Sequence, residues 1–343
     1  MIGLALAGGG CKGSYEAGAY LAMKKCHLHF DAVTGTSIGA FNAAMIASKQ
    51  EKEMYSFWHD LNVASILGLT PEFEQAIYSE KKNKELFKIG FTEILNFLKN
   101  KGLDISGLEN VLNRFKVEDK IRKSNIDFGV CTFRIDSKEP IELFKKDIPL
   151  GKIDEYLIAS CYLPIFKPQK IIDDSFYFDG GIYDNCPANM LLKNGYDLVY
   201  RIELNAIGRK QKLIDAKRVI TIEPSRKLSP IITFNKKDII NNFWIGYYDT
   251  LKILKKYPGN KFLFKKRPLW YYKFLTRKVP KKILNNMMAI FNANNEQELI
   301  IKVLEFLMIR DNPSYFKIYN PKKLIKRYHA TNSKLIGEFI KFL

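Results

Sequence analysis

The chain has 343 residues, 47% of them apolar and 13% aromatic, a composition that can bury a real globular core. Its five cysteines (Cys11, Cys26, Cys131, Cys161 and Cys186) are scattered, with no CxxC pair and no neighbouring histidine cluster, which excludes a disulfide scaffold and a zinc-ligand pattern. The net charge of +19 is uneven: residues 1–228 hold 32 Lys+Arg against 29 Asp+Glu, whereas residues 229–343 hold 23 against 7.

Residues 2–7 read as a short buried strand stopped by glycine, too brief for a signal-peptide core and without a basic leader. A helix is predicted over 13–26, a second strand over 30–36 and a helix of small residues over 38–48. Strand–helix–strand–helix is the pattern of a parallel sheet packed between helices. Residues 51–123 are charged and read as a mostly helical insertion. Strand patterns return at 126–135, 141–144, 176–179, 198–204 and 218–223, with helices at 153–161 and 189–194. Beyond Pro224 the pattern turns helical and aromatic-rich, most clearly at 238–254, 281–291 and 296–309. No run approaches the roughly 18–20 apolar residues of a membrane span, so a soluble, cytoplasmic protein is expected.

Between the first strand and helix lies GGGCKG, Gly8 to Gly13. Gly8, Gly10 and Gly13 satisfy GxGxxG, but a dinucleotide site also needs an acidic residue closing the second strand, and Asp31 opens that strand instead. A P-loop fails because Lys12 precedes the last glycine. The second strand ends in GTSIG, Gly35 to Gly39, a nucleophile elbow that lifts Ser37 onto a helix N-terminus, where negative charge is favoured. In a parallel sheet the glycine loop shares that edge, and its N–H groups can converge on the oxyanion of an acyl-transfer intermediate.

A serine nucleophile needs a base. His27 and His29 flank the wrong end of the second strand, and His59 sits beside Trp58 in the insertion. His329 alone has the Ser–acid–His chain order of an α/β-hydrolase, yet no strand pattern precedes it. In SFYFDGG, Ser175 to Gly181, an apolar strand carries Asp179 to its C-terminal end; the residue reads either as a turn former or as a carboxylate on the serine's edge.

These motifs in this order resemble the patatin-like phospholipase family: a GGGxxG loop, then GxSxG, then DG[GA], here Gly8–Gly13, Gly35–Gly39 and Asp179–Gly181. DGGIYDNCP, Asp179 to Pro187, is similar to the DGGxxxNxP run of bacterial members, and ASCYLPIFKP, Ala159 to Pro168, to the loop before the aspartate strand. The resemblance covers the first two-thirds of the chain and is silent on the tail. It implies a three-layer α/β/α fold with a mainly parallel sheet, and a Ser–Asp dyad acting on acyl esters of lipids. By matching positions Ser37 is the nucleophile, Asp179 the general base, and Gly8, Gly9 and Gly10 the oxyanion loop. No metal or organic cofactor is expected, and no calcium-loop pattern is visible.

The expected organisation is therefore a catalytic α/β domain over 1–228 and a helical, strongly basic region over 229–343. Residues 255–282, KKYPGNKFLFKKRPLWYYKFLTRKVPKK, interleave cations with rings. Two roles fit them: a docking surface at the inner, anionic face of a membrane, or the aromatic core of a helical domain solvated by lysines. Nucleic acid is not an expected partner, since no RRM, KH, zinc-finger or helix-turn-helix pattern accompanies the basic run. The competing functions are an acyltransferase using the same acyl-enzyme and a non-catalytic binder of anionic lipid or nucleic acid through the tail. The oligomeric state is left open.

Overall fold

The fold is that of a computed structural model, which describes residues 1–66, 104–329 and 334–343. These form two compact units, Met1–Tyr247 and Tyr248–Leu343. The helical expectation for residues 67–103 lies outside the described residues.

The first unit is built on β1 (Ile2–Leu6), β2 (Ala32–Thr36), β3 (Asp127–Arg134), β4 (Glu139–Phe144), β5 (Tyr177–Asp179), β6 (Leu198–Ile202) and β7 (Val219–Ile222). Six lie side by side in the order β4-β3-β2-β1-β6-β7. Every neighbouring pair from β3 to β7 is parallel, and only the edge strand β4 is antiparallel. Central parallel strands are covered on both faces and so read as unbroken apolar or small runs; β2, AVTGT, is buried along its whole length.

Side-chain alternation along β2 separates the two covering layers. Thr34 and Thr36 face the loop that leads into the helix Ala188–Lys193, their hydroxyls donating to the carbonyls of Pro187 (3.1 Å) and Asp184 (2.7 Å). Gly35 faces the opposite layer, which holds the helices α1 (Ser14–Lys25), α2 (Ile38–Ala47) and α3 (Glu51–Asp60) in chain order, with α2 against β2. There α2 returns so close that a Cβ on Gly35 would sit 2.3 Å from the Gly39 carbonyl. The fold is thus a three-layer α/β/α sandwich. Helix α2 carries no polar stripe because Gly39 through Ala47 are all buried, whereas α3 is amphipathic and turns Met54 and Trp58 inward.

A second antiparallel strand lies off this path. β5 is antiparallel to β3 and pairs only with Thr132–Arg134, the part of β3 that outruns β2. A three-residue strand, YFD, carries no sequence signal for its direction.

The helix Lys236–Lys255 passes from the first unit into the second, just beyond the expected boundary at 228/229. The second unit adds a two-stranded parallel pair, β8 (Leu263–Phe264) with β9 (Ile318–Tyr319), and the helices Leu269–Thr276, Lys281–Ile290, Glu296–Asp311, Pro321–Tyr328 and Lys334–Lys341. Its core includes Phe262, Phe264, Tyr272, Met287, Leu304 and Phe339. The ring-rich segment is divided between the two roles considered for it: Tyr272 is wholly buried, while Trp270 stands 68% exposed.

Candidate active site

β2 ends at Thr36 and α2 begins at Ile38, leaving Ser37 on the turn between them with φ 57° and ψ −130°. That backbone region costs a residue with a side chain about 1–3 kcal/mol and is held only where surroundings over-determine it. Here the Ser37 N–H donates to Ser160 Oγ (2.8 Å), and Ser160 Oγ in turn donates to the Cys131 carbonyl (2.7 Å), tying the turn to β3 where its pairing with β2 stops. Absence of a side chain at Gly35 is what lets the helix fold back directly after the serine.

Asp179 closes β5. Its N–H donates to the Tyr162 carbonyl (2.8 Å), and its Oδ1 accepts the Gly181 N–H (2.8 Å), fixing the carboxylate across the Gly-Gly turn. The Asp179 carboxyl lies within electrostatic reach of the Ser37 hydroxyl. Both residues are buried, with 9% and 7% of their surface exposed, so the pair is reachable but largely dry. Burial pushes the Asp179 carboxyl up to about 6, against the pull of the Ser37 hydroxyl and the Gly181 N–H. Burial, then the Asp179 charge, drive the neighbouring Cys161 thiol well above the usual range and keep it from competing as a thiolate.

The glycine loop lies against this pair: a Cβ on Gly8 would fall 3.1 Å from Ser37 Cβ and 2.6 Å from Asn185 Oδ1. Gly8 and Asn185 are bonded reciprocally, the Gly8 N–H to the Asn185 carbonyl (2.9 Å) and Asn185 Nδ2 to the Gly8 carbonyl (3.0 Å). The Gly8 N–H is therefore already used. Gly9 and Gly10 have N–H groups without a protein acceptor among the described residues. Gly10 sits at φ +55°, and a Cβ there would lie 2.4 Å from the Ile231 carbonyl. Lys12 is half-buried. Its ammonium donates to the carbonyls of Leu204 (3.4 Å) and Asn205 (3.0 Å), and burial, with Lys227 nearby, lowers its pKa.

A buried polar cluster supports the loop from behind. Glu16, on α1, accepts the Ala7 N–H (2.6 Å) and Asn42 Nδ2 (2.8 Å), while Asn42 Oδ1 accepts Trp58 Nε1 (2.9 Å). Burial holds the Glu16 carboxyl well above the usual carboxylate range. Among the described residues no imidazole hydrogen-bonds Ser37 or Asp179; the His59 ring meets Asp60, and His329 is exposed on the second unit. Sequence reading singled out neither Ser160, Asn185, Glu16 nor Asn42. The first two lie inside ASCYLPIFKP and DGGIYDNCP, but nothing in those runs marks their roles.

A strained serine on a strand–helix turn, set beside a buried carboxylate and flanked by a glycine loop, defines a three-layer α/β protein with a serine site of the nucleophile-elbow kind. The model of the patatin-like phospholipase family matches residues 4–192, more than half of the chain, and the chain belongs to that family. It is 25% identical over 219 residues to lysophospholipase NTE1 of Meyerozyma guilliermondii, a match covering 60% of this chain and 13% of that much longer protein. It is 26% identical over 264 residues to a cGAMP-activated phospholipase of Escherichia coli, covering 71% of this chain and 67% of that one. Among solved structures, VipD from Legionella pneumophila aligns over 100% of this chain and 90% of its own with a TM-score of 0.46 and 12% identity.

Proposed function

We propose that the protein is a lipid acyl hydrolase working through a Ser37–Asp179 dyad. The observation that carries this reading is the strained Ser37 turn set beside a desolvated carboxylate, Asp179, whose strand ends next to β2 on adjacent residues of β3. Ser37 Oγ attacks the ester carbonyl as Asp179 takes its proton, and the oxyanion forms against the Gly9 and Gly10 N–H groups and the N-terminal end of α2. Asp179 then returns the proton to the departing alcohol or lysolipid. In the second half-reaction a water attacks the acyl-enzyme, Asp179 accepts its proton, and the fatty acid leaves as Ser37 regains its hydrogen. A carboxyl pushed up towards neutrality is a better base than an ordinary aspartate, whose unperturbed value is about 3.9. The substrate class is the acyl esters of phospholipids or lysophospholipids, in keeping with the names of the relatives.

Labelling with a fluorophosphonate, alongside hydrolysis of a short p-nitrophenyl ester, tests the dyad. The expected outcome is a label on Ser37, absent from Ser37→Ala, with turnover lost in Ser37→Ala and Asp179→Asn and retained in His329→Ala. Loss of turnover in a folded His329→Ala protein would replace the dyad with a triad. A folded wild-type protein that neither labels nor turns over would sink the hydrolase reading.

A further inference from the structure

Between Asp249 and Glu296 the chain carries twelve Lys or Arg residues and no Asp or Glu. The helix Leu269–Thr276 lies within this stretch. Tyr272 and Thr276 turn inward, whereas Leu269, Trp270 and Phe274 are 42%, 68% and 50% exposed, with Lys273 exposed among them. Trp270, Lys273, Phe274 and Arg277 recur at the three- and four-residue spacings of one helical face. Arg277 holds its guanidinium 3.7 Å from the Phe274 ring centroid, and Arg267 lies 5.6 Å from that of Tyr271. Among the described residues, no cation from Lys265 to Lys282 is in an ion pair.

Beside the helix runs a groove of about 460 Å³. Leu275, Ile325 and Leu343 supply its apolar lining, and Lys322 and Lys326 add cations. Neither Trp270 nor Phe274 belongs to the core of this unit. Large rings held in water beside unpaired cations mark a binding surface.

We propose that this face docks the protein on an anionic phospholipid bilayer. Trp270 and Phe274 enter the headgroup–acyl boundary, and Lys265, Lys266, Lys273 and Arg277 lie on lipid phosphates and carboxylates. Charge complementarity selects an anionic surface, and the apolar groove selects hydrocarbon over nucleic acid. A base stacking on Phe274 would have to displace Arg277 from one face of the ring. The inference is independent of the chemistry at Ser37.

The test uses the full chain carrying Ser37→Ala, so that binding is read without hydrolysis. Flotation is measured with vesicles of phosphatidylcholine alone and with phosphatidylserine at about one lipid in three. The expected result is binding to the anionic vesicles, at least about tenfold weaker to the neutral ones, and weakened by salt. Trp270→Ala/Phe274→Ala and Lys265→Gln/Lys266→Gln/Arg267→Gln should each cost about tenfold in vesicle affinity. In the Ser37 background the same changes should leave hydrolysis of a soluble ester unaltered, which verifies folding. A Trp270→Phe protein should lose the blue shift of tryptophan emission seen on binding. Equal affinity for both vesicles, or binding untouched by both sets of substitutions, would overturn the proposal. So would DNA binding that survives loss of the two rings while vesicles are ignored.

Discussion

Ser37 and Asp179 meet because β2 and β5 occupy the same flank of β3 from opposite directions. Thr36 pairs with Cys131 and Asp179 with Thr132, so the parallel strand and the antiparallel one end head to head at adjacent residues of β3. The serine is the first residue past one strand and the aspartate the last of the other. The geometry depends on β3 being eight residues long beside a five-residue β2. Ser160 closes the junction, linking the Ser37 N–H to the Cys131 carbonyl.

The rate should follow the ionisation of Asp179. A base must be unprotonated to accept the Ser37 proton, and burial has raised this carboxyl to about 6. kcat/KM for a soluble ester is expected to rise about tenfold per pH unit below 6 and to level off above about 7. Asp184 is also raised to about 6 by burial, but its carboxylate accepts the Cys186 and Gln211 N–H groups. Asp184→Asn should therefore leave the midpoint in place. A profile whose midpoint moves with Asp184 would reassign the titration.

Removing the base charge should stabilise the fold while abolishing turnover. The folded Asp179 carboxyl keeps its proton to a higher pH than the unfolded one, so the native state binds more protons between about 4 and about 6. Stability accordingly falls as pH rises through that window, by up to about 3 kcal/mol for this group. Asn keeps an oxygen for the Gly181 N–H without a buried charge. Asp179→Asn is expected to gain about 1–3 kcal/mol at pH 8 and little at pH 4, measured by urea denaturation. A variant equally destabilised at both values would contradict this account.

Much of this arrangement was legible because its signals are local. An apolar run before GGG, and GTSIG between a strand and a small-residue helix, each state their own geometry: the chain must turn sharply, and glycine lets it. The direction of β5 was not legible, since Tyr177–Asp179 pairs with residues about 45 positions earlier and only that pairing gives it a sense. Nor could Ser160 or Asn185 be read as parts of the site. Their partners are the backbone of Ser37 and Gly8, 123 and 177 residues away, and a hydroxyl or amide bonding a distant main chain leaves no spacing to detect. The basic tail showed its interleaving of rings and cations. Only the phase of the helix Leu269–Thr276 separates buried Tyr272 from exposed Trp270.

Gly10→Ala should damage catalysis more than stability. The residue combines φ +55° with a carbonyl, that of Ile231, 2.4 Å from any added Cβ, so the loop must shift to accept it. The N–H of Cys11 donates to the same carbonyl (2.7 Å), and moving it would displace the Gly9 and Gly10 N–H groups that we propose as oxyanion donors. Loss of a well-placed oxyanion donor costs about 10²–10³ in kcat. That fall is expected with Asp179 still titrating near 6; a loss confined to KM would mean that the loop serves binding alone.

Glu16 offers the sharpest test of how the loop is held. Its two oxygens satisfy the Ala7 N–H, at the exit of β1, and the Asn42 amide, which is itself fixed by Trp58 and the Gly13 carbonyl. Glu16→Ala strands two buried donors and opens a cavity, and should cost about 2–4 kcal/mol in urea denaturation. Glu16→Gln is nearly isosteric and removes a carboxyl that burial holds well above the usual carboxylate range. One of its amide hydrogens would nevertheless face the Asn42 amide, so an intermediate loss of about 1–2 kcal/mol is expected. Because Ala7 leads directly into Gly8, kcat should fall in both variants in the same order as stability. A Glu16→Gln protein with native stability and a much reduced kcat would instead mean that the charge of Glu16, and not its hydrogen bonding, acts on the glycine loop.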